Sequence, residues 1–133
     1  MAYKLVIALL AVPLLSSCLQ GGEVVVTQSG RDIIFEVTDK GGEKICPDML
    51  DVGVRREGQR NLDVWTIINE RDVCVSRFVY GQTPPGFREA VAPRPLTAGT
   101  LYSVSASVPG YLVLNLFSPG DRDGVINREL PPE

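Results

Sequence analysis

Any chemistry in this chain has to be done without histidine. The 133 residues contain none, and the thiols are limited to Cys18, Cys46 and Cys74. Serine-histidine and cysteine-histidine nucleophiles, imidazole-ligated metals and imidazole acid/base steps are excluded, which leaves carboxylates, lysine, tyrosine and serine. No recognisable nucleophile motif surrounds any serine or lysine. Asp48 and Asp51 follow Cys46-Pro47, and Asp63 falls on the next expected strand, so these carboxylates are the candidates for acid/base work. Glycosidase chemistry would require two of them to face each other across a cleft. A turn role for Asp48 requires only its own backbone, and that is the expectation.

Metal binding is not expected. There is no C-x-x-C spacing and no histidine to complete a zinc ligand set. Near the C-terminus, Asp121-Arg122-Asp123-Gly124-Val125-Ile126 is similar to part of a calcium loop, in which alternating oxygens precede a glycine. The frame fails at both ends. With Gly124 at the glycine position, Pro119 stands where the first ligand belongs and Leu130 where the bidentate glutamate belongs, and Glu129 comes one residue early. A polar turn or tail is expected there instead.

A recognition surface is easier to place. The longest stretch without strand character, 81–98, contains Thr83-Pro84-Pro85-Gly86-Phe87-Arg88 and Pro93-Arg94-Pro95. Tyr80, Phe87, Arg88 and Arg94 could form an aromatic and basic surface on a backbone stiffened by proline. The competing expectation makes Tyr80 and Phe87 plugs closing one end of the fold, with the prolines guarding a sheet edge. The formal net charge of -3 argues against nucleic acid, whose binders need a basic face to displace counterions.

What positions these residues begins with a leader. Lys4 is followed by an unbroken apolar run from Leu5 to Leu15, and Pro13 with Ser16-Ser17 stops it short of the roughly 20 residues a spanning helix needs. The leader, 1–17, then runs into Leu15-Ser16-Ser17-Cys18, a large apolar residue, two small residues and a cysteine. This resembles the lipobox of bacterial lipoproteins, and the resemblance covers the leader and Cys18 alone. It implies that the Cys18 thiol carries diacylglycerol, that the chain is cut before Cys18, and that the new amino terminus is acylated. Two or three acyl chains hold a protein on a bilayer almost permanently, at about 0.8 kcal/mol per buried methylene. Leu19 stands where an aspartate would favour the inner membrane in Gram-negative members, so the resemblance implies an outer-membrane anchor facing the periplasm. Residues 18–22 make a short tether, which spans roughly 17 Å at full extension.

With Cys18 taken by lipid, Cys46 and Cys74 are left as an even pair in an oxidising compartment, and a disulfide is expected between them. It would stabilise the fold by about 3 to 4 kcal/mol. The body, 23–118, shows no long amphipathic helix. Runs rich in Val, Ile, Thr and aromatics at 23–28, 31–38, 49–56, 62–69, 72–80, 100–108 and 111–117 are separated by turn residues such as Ser29-Gly30, Gly41-Gly42 and Pro109-Gly110. Leu50, Val52 and Val54 alternate with Asp51, Gly53 and Arg55, giving one inward face. Run 72–80, apolar on both sides, reads as a central strand. About seven short antiparallel strands suit a single β-sandwich of immunoglobulin or fibronectin type III character, with Trp65 as core aromatic. The alternative is a small β-barrel. The spacing departs from the immunoglobulin pattern, because Trp65 is close before Cys74 and Cys46 precedes the third strand. Residues 119–133 read as a polar C-terminal tail.

The expected function is a non-enzymatic binding or structural role for an envelope lipoprotein. Its partners would be the bilayer through Cys18 and an envelope protein near the same membrane, with no cofactor beyond the covalent lipid. The alternative is an inhibitor of a hydrolase such as lysozyme, presenting the Pro84-Pro85-Gly86 loop.

Overall fold

The computed structural model describes residues 21–120 and the backbone of 126–127. Among them there is no helix. Eight strands, β1 (Gly22–Ser29), β2 (Asp32–Asp39), β3 (Met49–Val54), β4 (Leu62–Asn69), β5 (Arg77–Val79), β6 (Phe87–Val91), β7 (Tyr102–Val108) and β8 (Tyr111–Ser118), are followed by the two-residue β9 (Ile126–Asn127). They form two antiparallel sheets, one ordered β1-β2-β5 and the other β6-β4-β3-β7-β8-β9. The barrel alternative is thereby excluded. β1 and β8 run side by side, but the link between them is a side chain, Asn115 Nδ2 donating to the Val24 carbonyl at 2.7 Å, and no ladder closes the sheets into a ring.

The core follows from period-two alternation in both sheets. Val24, Val26, Ile33, Phe35, Val37 and Phe78 point inward from the small sheet, and Leu50, Val52, Trp65, Ile67, Val104 and Phe117 from the large one. Aromatic rings join the layers. Phe35 meets Phe117 edge-on at 5.4 Å, and Phe117 in turn stacks on Tyr102 at 5.6 Å. Trp65 is fully buried and edge-on to Tyr80 at 5.2 Å, as its place before Cys74 suggested.

Two runs differ from the sequence expectation. Of 72–80, only Arg77–Val79 joins a ladder, and it lies at the edge of the small sheet, not at its centre. Asp72 takes a positive φ of 53°, which turns the chain, and Asn69 holds the residues after it by their backbone, so the valines there cannot extend the strand. Conversely, 81–98 is not strand-free. Phe87–Val91 pairs with β4 as the outer strand of the large sheet. Its Arg88, Glu89 and Ala90 are all exposed, so no hydrophobic alternation marks it. Prolines bracket it on both sides, a known guard for sheet edges.

The chain crosses between sheets after β2, after β4 and again after β5, and the first two crossovers are fastened to each other. Cys46 and Cys74 form a disulfide, with Cα atoms 4.9 Å apart and a sequence separation of 28. Beside it, Asn69 Nδ2 donates to the carbonyls of Val73 at 2.7 Å and Pro47 at 3.4 Å, while its Oδ1 accepts from Val73 N at 3.1 Å. The Asn69 backbone N–H donates to the Asp48 carbonyl at 2.8 Å. One asparagine thus satisfies groups on both crossovers. Urea unfolding should show Cys46→Ser and Cys74→Ser each losing about 3 kcal/mol and matching each other, since either opens the same loop. Asn69→Ala should lose about 2 kcal/mol, because it strands several part-buried backbone groups.

Candidate functional site

The strand ladders give the sandwich two distinct ends. At one lie the start of β1, the β7-β8 turn, the disulfide and the Pro84-Pro85-Gly86 loop, since Gly22 pairs with Asp39, Val108 with Tyr111, and Asp48 N–H donates to the Ser107 carbonyl. At the other lie the β1-β2 turn and the Tyr102-Phe117 pair. That second end holds a cavity of about 330 Å³, with Gln28, Arg31, Tyr80 and Leu96 among its lining side chains and Ile33 at its base. This is at the small end of the range for small-molecule sites.

Tyr80 lines the cavity, and Tyr102 braces the stretch that walls it. Tyr80 Oη donates to the Arg94 carbonyl at 2.6 Å, with the Val64 carbonyl at 3.3 Å, and Tyr102 Oη accepts from Thr97 N–H at 2.8 Å. The stretch between β6 and β7 is thereby strapped across the end of the sheets. Gln28 does the same on the other side. Its side-chain amide donates to the Gly120 carbonyl and accepts from Gly120 N–H, at 3.0 and 3.1 Å. Arg31 is exposed at the rim, so the opening combines an apolar floor, a phenol and one guanidinium. Such a lining suits a ligand with an apolar body and an acceptor or anionic group. Burial pushes the Tyr80 phenol up to about 12, and it remains a donor through the physiological range.

The four residues singled out from the sequence do not form one surface. Tyr80 lines the cavity, and Arg94 is exposed beside a separate shallow depression with Arg60, Asp63 and Val91. Phe87 and Arg88 lie toward the opposite end. Phe87 is half-buried, edge-on to Phe78 at 5.5 Å, and Arg88 pairs with Glu70. The Pro84-Pro85-Gly86 loop is firmly held. The Gly86 carbonyl accepts from the N–H groups of Glu70 and Arg71, and Gly86 has φ of 91° with Val73 so close that a Cβ would stand 2.8 Å from it. Cys18 and the 121–125 motif lie outside the described residues.

The carboxylates are arranged otherwise than turn chemistry alone suggests. Asp48 is exposed and apart, while Asp51 on β3 and Asp63 on β4 come together on the outer face of the large sheet. A bulge between Val52 and Gly53 shifts the register so that Asp63 pairs with Gly53. Asp51 accepts from Thr66 Oγ1. Burial first, and Asp63 second, raise the Asp51 carboxyl to about 6 against the pull of Thr66. The two carboxyls sit on neighbouring strands of one face, not on opposite walls of a cleft. Gln28 was not singled out from the sequence, because Gly120, which it holds, is 92 residues away. Among the described residues, no group of three or more cysteine and carboxylate side chains could hold a metal ion.

Two measurements follow from this geometry. Asp51 is easier to keep protonated in the fold than in the unfolded chain, so its ionisation costs stability as pH rises from about 4 to about 6. Asp51→Asn should therefore stabilise the protein at pH 7 by about 1 kcal/mol, the linkage value being reduced by solvent at this partly exposed site, and should make no difference at pH 4. Tyr80→Phe should lose about 1 kcal/mol in urea and speed amide exchange between residues 94 and 98.

No family model matches the chain, and neither a curated protein nor a solved structure is similar enough to match it.

Proposed function

We propose that the chain is a lipid-anchored lipoprotein of the bacterial envelope, with a non-enzymatic binding role, that presents the cavity beside Tyr80 away from its membrane. The supporting observation is the Cys46–Cys74 bond. It uses both cysteines of the body in a link that persists in oxidising compartments, and it leaves Cys18 as the thiol for diacylglycerol. The body begins its first strand at Gly22, only four residues after Cys18. β1 then runs for about 27 Å to the opposite end. In a protein held at Cys18, the cavity end points outward and the disulfide end lies against the headgroups. The outer membrane, facing the periplasm, is the compartment that Leu19 favours in a Gram-negative cell.

The hydrolase-inhibitor reading has one feature in its favour. The Pro84-Pro85-Gly86 loop is clamped to the segment that carries Cys74, and a rigid loop loses little entropy on insertion into a cleft. Against it, that loop sits at the anchored end, where a soluble hydrolase has least room.

Globomycin, which blocks the peptidase that cuts before the lipidated cysteine, should cause a longer precursor to accumulate. Cys18→Ala should block processing or release the body from the membrane. Crosslinking in intact envelope should then capture a partner through positions beside Tyr80 and Arg31. Normal processing in both treatments would refute the anchor, and lysozyme inhibited through the Pro84-Pro85-Gly86 loop would favour the second reading.

A further inference from the structure

The described residues leave three large hydrophobic side chains exposed: Val25 at 36%, Leu112 at 61% and Leu114 at 46%. The leucines are neighbours on the outer face of β8, whose beginning lies beside that of β1, whereas Val25 stands apart on the small sheet, mid-way along β1. A Cβ on Gly22 would stand 3.3 Å from Val113 Cγ2, and Val113 is the residue between the two leucines. β8 also shows a gradient along its outer face. Leu116, next in the same alternation, is only 3% exposed, so the face is covered toward the cavity end and bare toward the chain's beginning.

Charge at this end is mixed. Lys40 and Lys44, the two lysines that follow the leader, lie on the crossover after β2, and the Lys40 side chain lies against Gly21. Asp39, Glu43 and Glu23 accompany them. Asp39 Oδ1 is occupied by the N–H groups of Gly41 and Glu43, both at 2.8 Å. Carboxylates outnumber these lysines, Asp48 and Asp72 being exposed at the same end, so charge does not draw this end to anionic headgroups and the leucines set the contact, with the apolar stems of the lysines compatible with a headgroup layer.

We infer that the Leu112 and Leu114 face is a docking surface for a lipid bilayer, seating the sandwich on the membrane that holds its anchor. This rests on the lipidation of Cys18 proposed above. From Cys18 to Gly21 the chain spans at most about 11 Å, so acyl chains on that cysteine bring the bilayer to the end of the molecule where the apolar side chains are bare. Leucines at the boundary of headgroups and hydrocarbon are removed from water without a protein partner. The anchor supplies the affinity. The patch fixes which side of that end meets the headgroups.

Mass analysis of the mature chain first establishes whether Cys18 is acylated. The acylated protein, with leucine methyls labelled, is then reconstituted in vesicles of phosphatidylethanolamine and phosphatidylglycerol containing a lipid spin-labelled near the headgroup. Leu112 and Leu114 methyl signals should broaden at least threefold more than those of Leu62 and Leu96, which lie toward the other end. Leu112→Ser/Leu114→Ser should leave the protein membrane-bound but abolish that contrast between the ends, as read from Leu50 against Leu62 and Leu96. Equal broadening in the acylated wild-type protein, or leucines protected by contact with a second copy, would overturn the docking surface while leaving the anchor intact. An unmodified Cys18 would overturn the anchor and this inference with it.

Discussion

The fold depends on the junction at which the first two of its three crossovers are tied together. A sandwich whose chain changes sheets after β2 and after β4 must hold those passages in register, or the strands that follow cannot meet their partners. The Cys46–Cys74 bond limits how far the passages can separate. Asn69 does what a disulfide cannot, which is to satisfy the backbone groups that irregular chain leaves unpaired. Because Asn69 is also the last residue of β4, the end of that strand, the turn after it and the start of β3 are defined by one side chain.

The consequences reach both ends of the molecule. At the crossover end, the fixed position of Val73 receives Gly86, which sets where β6 begins along the edge of the large sheet. At the far end, β5 delivers Tyr80 under the stretch that follows β6, and the phenol fastens that stretch over the core. The cavity is therefore a product of the crossover geometry, although it lies the full length of a strand away. In a protein held at Cys18, that separation would give the anchor and the cavity different surroundings, one at lipid and the other in water.

Much of this architecture was legible in the sequence where burial is one-sided. Leu50 and Val52 alternate with polar neighbours, and β3 begins at Met49 as expected; β4 runs over the whole of 62–69. Legibility failed where burial stops being informative. Phe87–Val91 is an edge strand exposed at its middle three residues, so nothing in its composition separates it from loop, and its pairing is decided by β4. The valines around Cys74 read as strand because their packing partners are invisible in the sequence, yet a left-handed Asp72 and two hydrogen bonds from Asn69 hold them in a turn. The cavity was half visible. Tyr80 could be picked out as an aromatic next to a proline-rich stretch, whereas Gln28 and Gly120 meet only because two sheets fold over each other. The pairing of Asp51 with Asp63 depends on a bulge that shifts the register near Gly53, a detail of backbone geometry that residue types do not encode.

Trp65 gives the molecule an optical consequence. It is the chain's one tryptophan, lies fully buried against Tyr80, and has an indole Nε1 with no hydrogen-bond acceptor among the described residues. An indole so placed emits as it would in hydrocarbon, and its emission moves toward the red only when the seam between the sheets admits water. Because Tyr80 links that ring to the cavity's wall, a ligand entering at the far end would be reported by the intrinsic fluorescence of the core, with no label attached.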